Sequence, residues 1–120
     1  MRNIEIEFVK EMRYSTAGDY FVRDGKTVIQ VYDQEDRRHN FLVALHELVE
    51  QFLTEEAGIK EEDILAYDLQ SNDEEPGDNP EAPYHLQHIQ ATIAEKLLAK
   101  YLNLAWSKYD AEIKVYEHNK

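Results

Sequence analysis

Apolar and charged positions alternate at the start of the chain, where Ile4, Ile6 and Phe8 are interleaved with Glu5, Glu7 and Val9. A period of two marks a strand with one face turned to a core. Two further runs, Tyr20 to Arg23 and Thr27 to Tyr32, are β-branched or aromatic, and Asp24-Gly25 stands between them. Asp-Gly supplies the positive φ values of a tight hairpin turn, so these runs are expected to pair antiparallel. The opening third therefore predicts a small three-stranded antiparallel sheet, with Tyr14 to Gly18 as the connection after the first strand.

The period then lengthens. Phe41, Leu42, Leu45, Leu48, Val49, Phe52 and Leu53 follow helical spacing,. Asp33 or Asp36 can cap the start of this helix, and Gly58 can end it in the left-handed conformation. On this reading Leu45, Phe52, Phe41 and Leu48 centre the buried stripe. His46 then sits at the edge of the core, with Glu50 one step further out. Ile64, Leu65 and Leu69 suggest a shorter helix. Ser71 to Ala82 holds Pro76, Gly77 and Pro80 among acidic residues and reads as a loop,. Pro83 suits a first helical turn. Leu86, Ile89, Ile93, Leu97 and Tyr101 mark a third helix, which Asn103 breaks. Trp106, Tyr109, Ile113 and Tyr116 mark a fourth. The expectation is an α+β fold, sheet first and about four helices after, in a single domain over 1–120, a length that suits one core,.

Composition narrows the function classes. Hydrophobic residues make up 42% and charged residues 32%, a balance that folds rather than staying disordered,. With 13 basic against 25 acidic residues the net charge is −12, and no basic block is present. Phosphate backbones and anionic lipid surfaces need clustered Lys and Arg, so neither nucleic acid nor membrane is an expected partner. The chain has no cysteine, which excludes disulfides, thiolate zinc sites and iron–sulfur clusters,. No run reaches membrane-spanning length and the N-terminus has no signal-like apolar region, so a cytoplasmic location is expected.

The candidate chemistry lies in Ala44-Leu45-His46-Glu47-Leu48-Val49-Glu50. Residues four apart on a helix are about 40° apart around its axis, so His46 and Glu50 can reach one ion. Glu47 points about 100° away from His46 and is free of that duty. A carboxylate so placed can polarise a metal-activated water. A third ligand is expected from the helix after Pro83. His88 and Glu95 are seven residues apart and project alike, within about 20°. Small residues Ala91, Thr92 and Ala99 beside them leave room for another helix or an ion. His88 is preferred, His85 is the alternative, and Glu95 is either a fourth ligand or the group that orients an imidazole. Asp68, closing the second helix, is a further candidate for orienting a ligand.

A His-Glu-x-x-Glu helix after a small sheet resembles the zincin metallopeptidases, whose helix reads His-Glu-x-x-His. The resemblance covers about half the chain. His46 and Glu47 match that pattern as ligand and general base; Glu50 stands where the family has a second histidine ligand. The wider pattern, with Glu75-Pro76-Gly77-Asp78 and Ala82-Pro83-Tyr84-His85 ahead of His88, is similar to small proteins of phages and prophages. The zincin resemblance implies a minimal zincin-like fold and a zinc-dependent hydrolase or peptidase, in which an exposed sheet edge beside the helix holds an extended peptide. A set of two histidines and one carboxylate suits zinc, and with open positions also iron, with manganese a further candidate.

Two other readings stand beside this one. Magnesium-dependent nucleoside triphosphate pyrophosphatases of the MazG type carry paired acidic motifs on helices, and Glu47-x-x-Glu50 followed by Glu75-x-x-Asp78 is similar. The other reading is a non-catalytic acidic module that binds a protein partner, with Tyr101, Trp106, Tyr109 and Tyr116 as possible anchors.

Overall fold

The structure, a computed structural model, describes residues 1–117. The chain forms β1 (Ile4–Val9), β2 (Gly18–Arg23) and β3 (Lys26–Tyr32), then α1 (Arg37–Glu56), α2 (Glu61–Gln70), α3 (His85–Tyr101) and α4 (Trp106–Lys114). Short 3-10 turns follow α2, at Pro76–Asp78, and α4, at Val115–Glu117. The α+β class agrees with the alternation pattern. Among the described residues no helix is long and apolar enough to cross a membrane.

The β2–β3 hairpin turns at Asp24 and Gly25, both at positive φ (53° and 74°), as an Asp-Gly turn requires,. The sheet is mixed, not purely antiparallel. Its order is β1-β3-β2, with β1 parallel to β3 and Ile6 level with Ile29. The chain leaves β1, passes across the sheet to form β2 at the far edge, and returns to insert β3 in the middle. Strand periodicity identifies which side chains share a face but says nothing about strand order or direction, and so it does not reveal that β1 runs parallel to β3.

Ile29 and Val31 of β3 and Tyr20 of β2 meet Leu42 and Val43 of α1 in the core. Asp36 caps α1, its carboxylate accepting from the Arg38 N–H at 2.9 Å, and Gly58 follows the helix at a φ of 74°,. Asn103 breaks α3 at a φ of 58°. The Ser71–Ala82 segment is more ordered than a solvated loop, since its central turn buries Pro76 and Gly77. Pro83 lies two residues ahead of α3 instead of inside its first turn.

The inner side of α1 is not the one its apolar spacing suggests. Phe41 and Phe52 are 49% and 45% exposed, whereas His46 and Glu50 are 8% and 4% exposed. Neither polar residue is at an edge. The same inversion occurs on α3, where Leu86, Ile93, Leu97 and Tyr101 face outward while His88, Ala91, Glu95 and Ala99 are buried. The two helices pack on each other through these inner faces, and Ala91 and Ala99 permit the close approach. Polar atoms can be buried this way only when each finds a partner, since an unpaired one costs several kcal/mol, about 2–7 by transfer scales.

Candidate metal centre

His46 and Glu50 leave α1 one turn apart and meet His88 from α3. The Nε2 of His46 lies 2.9 Å from Glu50 Oε2 and 3.2 Å from His88 Nδ1, and the same Glu50 oxygen lies 3.0 Å from His88 Nδ1. Three potential donors, all on buried residues, thus form a triangle. The spacing argument for one turn of helix and for His88 over His85 leads to side chains that come together. His85 turns away, its Nδ1 2.8 Å from the carbonyl of Gly77.

The outer ring nitrogens are also engaged. His46 Nδ1 lies 2.8 Å from Glu95 Oε1, and the Tyr109 hydroxyl donates to Glu95 Oε2 at 2.6 Å. Glu95 is therefore a group behind the imidazole and does not join the triangle. His88 Nε2 lies 3.0 Å from Asp78 Oδ1 and 3.6 Å from Glu75 Oε2. In a neutral imidazole, a carboxylate at the outer nitrogen holds the proton there and turns the inner lone pair toward the triangle, the arrangement that orients metal-binding histidines. The Tyr20 hydroxyl donates to the second oxygen of Glu50 at 2.8 Å, fixing that carboxylate from the β2 side.

Without a cation, protons fill the same role. Burial pushes the Glu50 carboxyl up, but hydrogen bonds from His46 and His88 outweigh it and hold the value at about 2. Burial pulls His88 down, and contacts with Asp78, Glu50 and Glu75 reverse this to about 12. His46 is likewise raised, the Glu50 and Glu95 hydrogen bonds outweighing its burial.

Two glycines let the backbone close on the site. A Cβ on Gly77 would sit 2.4 Å from the His88 ring carbon Cγ, so the 3-10 turn can lie flat on that imidazole only with glycine there. A Cβ on Gly18 would sit 2.6 Å from Glu47 Cγ and 2.7 Å from Val43 Cγ1. Glu47 therefore rests against the start of β2. It borders a cleft of about 70 Å³ that also touches His46, Glu50 and His88. That volume holds two or three waters at about 30 Å³ each. It is far below the roughly 300–1,000 Å³ of a pocket that engulfs a small molecule.

Asp68 also lines the cleft, where it accepts from the hydroxyls of Tyr14, at 3.1 Å, and Tyr84. Burial raises its carboxyl to about 6 against the opposing pull of those two hydroxyls.

The sheet edge beside the cleft is β2, and its outward N–H groups are occupied. The N–H groups of Gly18, Tyr20 and Val22 donate to Thr16 Oγ1, Asp19 Oδ1 and Glu61 Oε2 at 3.4, 2.9 and 3.2 Å. Arg13 donates to the Tyr20 carbonyl at 3.5 Å and pairs with Asp19 at 2.5 Å. An extended peptide cannot add to β2 without displacing these side chains, which overturns the expectation of an open edge there.

The acidic pairs of the pyrophosphatase reading are not a matching helical set. Glu47 and Glu50 are on α1, but Glu75 precedes and Asp78 ends a 3-10 turn at the back of His88, and the fold is not all-helical. Asp78, Glu75, Tyr20 and Tyr109 are the site residues that sequence reasoning missed. In the sequence Glu75 and Asp78 stand out only as charges of the acidic segment and as the second pair of the pyrophosphatase alternative, and Tyr109 only as a marker of the fourth helix and a possible partner anchor. Comparison of the chain with protein-family models, curated proteins and solved structures finds no match.

Proposed function

We propose that the protein is a divalent-metal-dependent hydrolase of zincin-like type, with His46, Glu50 and His88 as the metal ligands and Glu47 as general base. The observation that carries this reading is the triangle of inner donors, each imidazole backed by a carboxylate at its other nitrogen. A bound divalent ion supplies the Lewis acidity that activates water near neutral pH. Glu47, which lines the cleft, takes the proton and returns it to the leaving group,. His46 and His88 stay in one tautomer because Glu95 and Asp78 hold their outer protons. The narrow cleft suits an amide or ester presented at a chain end or an exposed loop tip, with the rest of the substrate outside.

Zinc is the first candidate, since nitrogen and carboxylate donors with an open position suit it. A second reading, iron or manganese, draws support from the donor separations of 2.9, 3.0 and 3.2 Å. At bond lengths of about 2.1 Å an octahedral face needs donors about 3.0 Å apart, whereas a tetrahedral site needs about 3.4 Å.

Elemental analysis of untagged protein tests the proposal, with near-stoichiometric metal expected. Glu47→Gln should keep the metal and lower hydrolysis of an activated ester or amide by about 10²–10⁴-fold. A preparation that neither contains nor takes up zinc, iron or manganese overturns the metal reading. Loss of metal from Glu47→Gln alone overturns the role given to that residue.

A further inference from the structure

The outer face of α1 carries Phe41, Leu45, Leu48 and Phe52, at successive intervals of four, three and four residues. That is the spacing of a coiled-coil seam, the stripe one helix offers to another. Phe41 and Phe52 are exposed; Leu45 and Leu48 are half-buried, and Leu48 also packs against the core. Ile4, Ile6 and Phe8 of β1, all exposed, share the helix side of the sheet with Ile29 and Val31. The Arg2–Glu55 ion pair at 2.7 Å ties the start of that strand to the last turn of α1. Exposed apolar side chains grouped on one flank in this way mark an interaction surface.

The charges at the ends of the seam identify the occupant. The first turn of α1 carries Arg37 and Arg38 and no acid; the last carries Glu55 and Glu56 and no base. This is the reverse of what the helix dipole favours, so the arrangement costs the isolated helix some stability. It is also self-complementary. Turned end for end about the point midway between His46 and Glu47, the helix sets Phe41 on Phe52, Leu45 on Leu48, Arg37 on Glu56 and Arg38 on Glu55. Arg38 already pairs with Asp36 at 2.8 Å, and Glu55 with Arg2. Arg37 and Glu56 have no partner among the described residues. A foreign helix could cover the apolar stripe, but it would have no reason to match both ends; a second copy related by a two-fold axis does so automatically.

We propose that two copies of this chain associate through the outer face of α1, with the two helices antiparallel and Arg37 of each facing Glu56 of the other.

Sedimentation equilibrium of the full chain, from low micromolar to hundreds of micromolar, reads this directly. A monomer–dimer equilibrium is expected. Phe41→Asp with Phe52→Asp should abolish it while the circular dichroism spectrum stays that of the folded chain, because both side chains already face water. Arg37→Glu alone, or Glu56→Arg alone, should weaken dimerisation by about tenfold, since each creates two like-charge contacts per dimer. The double variant Arg37→Glu/Glu56→Arg should restore the original affinity. A chain that is monomeric throughout overturns the proposal and leaves the seam to a different partner. A dimer indifferent to the single charge changes, or not restored by the double one, overturns the antiparallel register. None of these readings depends on metal, so they stand or fall apart from the hydrolase assignment.

Discussion

The two sides of α1 form an instructive contrast. One is buried and sets His39, His46, Glu50, Gln51 and Thr54 among Leu42, Val43 and Ala44; the other holds Phe41 and Phe52 and faces solvent. By composition the two phenylalanines should be inside and the ionisable groups outside, since apolar surface gains about 25 cal/mol per Å² on leaving water and buried ions are costly. What reverses it is the company each side meets. The inner polar groups find Glu95, His88 and Tyr20 at hydrogen-bond distance, and Asp78 backs His88 in turn. Within this chain the outer apolar groups find only half-cover. A polar stripe held inside, with every outer nitrogen backed, is a costly arrangement for stability alone and a useful one for holding a cation.

The sharpest way to break the contrast is to remove the anion the two imidazoles share. Glu50→Gln should destabilise the metal-free protein by about 3–5 kcal/mol, because two buried cations lose their common partner. Urea denaturation measures this, and a loss under about 1 kcal/mol would mean the inner network is not the structural keystone described. Leu42, one of the few apolar residues fully buried on α1, sets the scale for ordinary packing. Leu42→Ala should cost about 2–5 kcal/mol by the same measurement.

Rising pH disturbs the inner face without mutation. His46 and His88 are raised above the unfolded imidazole value, His88 to about 12. Their contribution to the metal-free fold is therefore complete below the ordinary imidazole pKa, near 6.5, and fades as pH rises toward the folded values. A cation competes with those protons, so loading at neutral pH should release about two protons per ion, and affinity should rise with pH. Titration calorimetry in buffers of different ionisation enthalpy reads the count. Zero protons released would show that the imidazoles are already neutral.

Smaller changes sharpen the picture. Gly77→Ala should cost about 1–3 kcal/mol, since its methyl would press on the His88 ring and the turn must shift,. Tyr109→Phe removes only the hydroxyl that holds Glu95. It should cost about 1 kcal/mol in stability and about 10–100-fold in metal affinity. An unchanged affinity would make Glu95 a bystander. Phe41→Ser, on the outer side, should alter the stability of the dilute monomer by no more than about 0.5 kcal/mol.

Much of this molecule was legible in the order of its residues, and the misses share one cause. The hairpin at Asp24-Gly25, the Asp36 cap, the stop at Asn103 and the pairing of His46 with Glu50 follow from geometry within a few residues. So does the choice of His88 over His85, because residues seven apart on a helix share a side. The parallel direction of β1, the inward turn of the polar residues of α1 and α3, and the roles of Asp78 and Tyr109 all depend on groups far along the chain. Periodicity reports that a helix has two unlike sides, and habit assigns the apolar one inward.

Local backbone geometry, written in nearest-neighbour sequence, was enough to define the elements and to aim an imidazole and a carboxylate from one turn in one direction. Which way that turn faced, and whether its nitrogens would be backed, was settled when α3, the Pro76–Asp78 turn and Tyr109 closed around it. The reason is physical: the free energy of a buried polar atom is set by the partner it meets, and that partner lies 38 to 49 residues away for the contacts of α1 with His88 and Glu95.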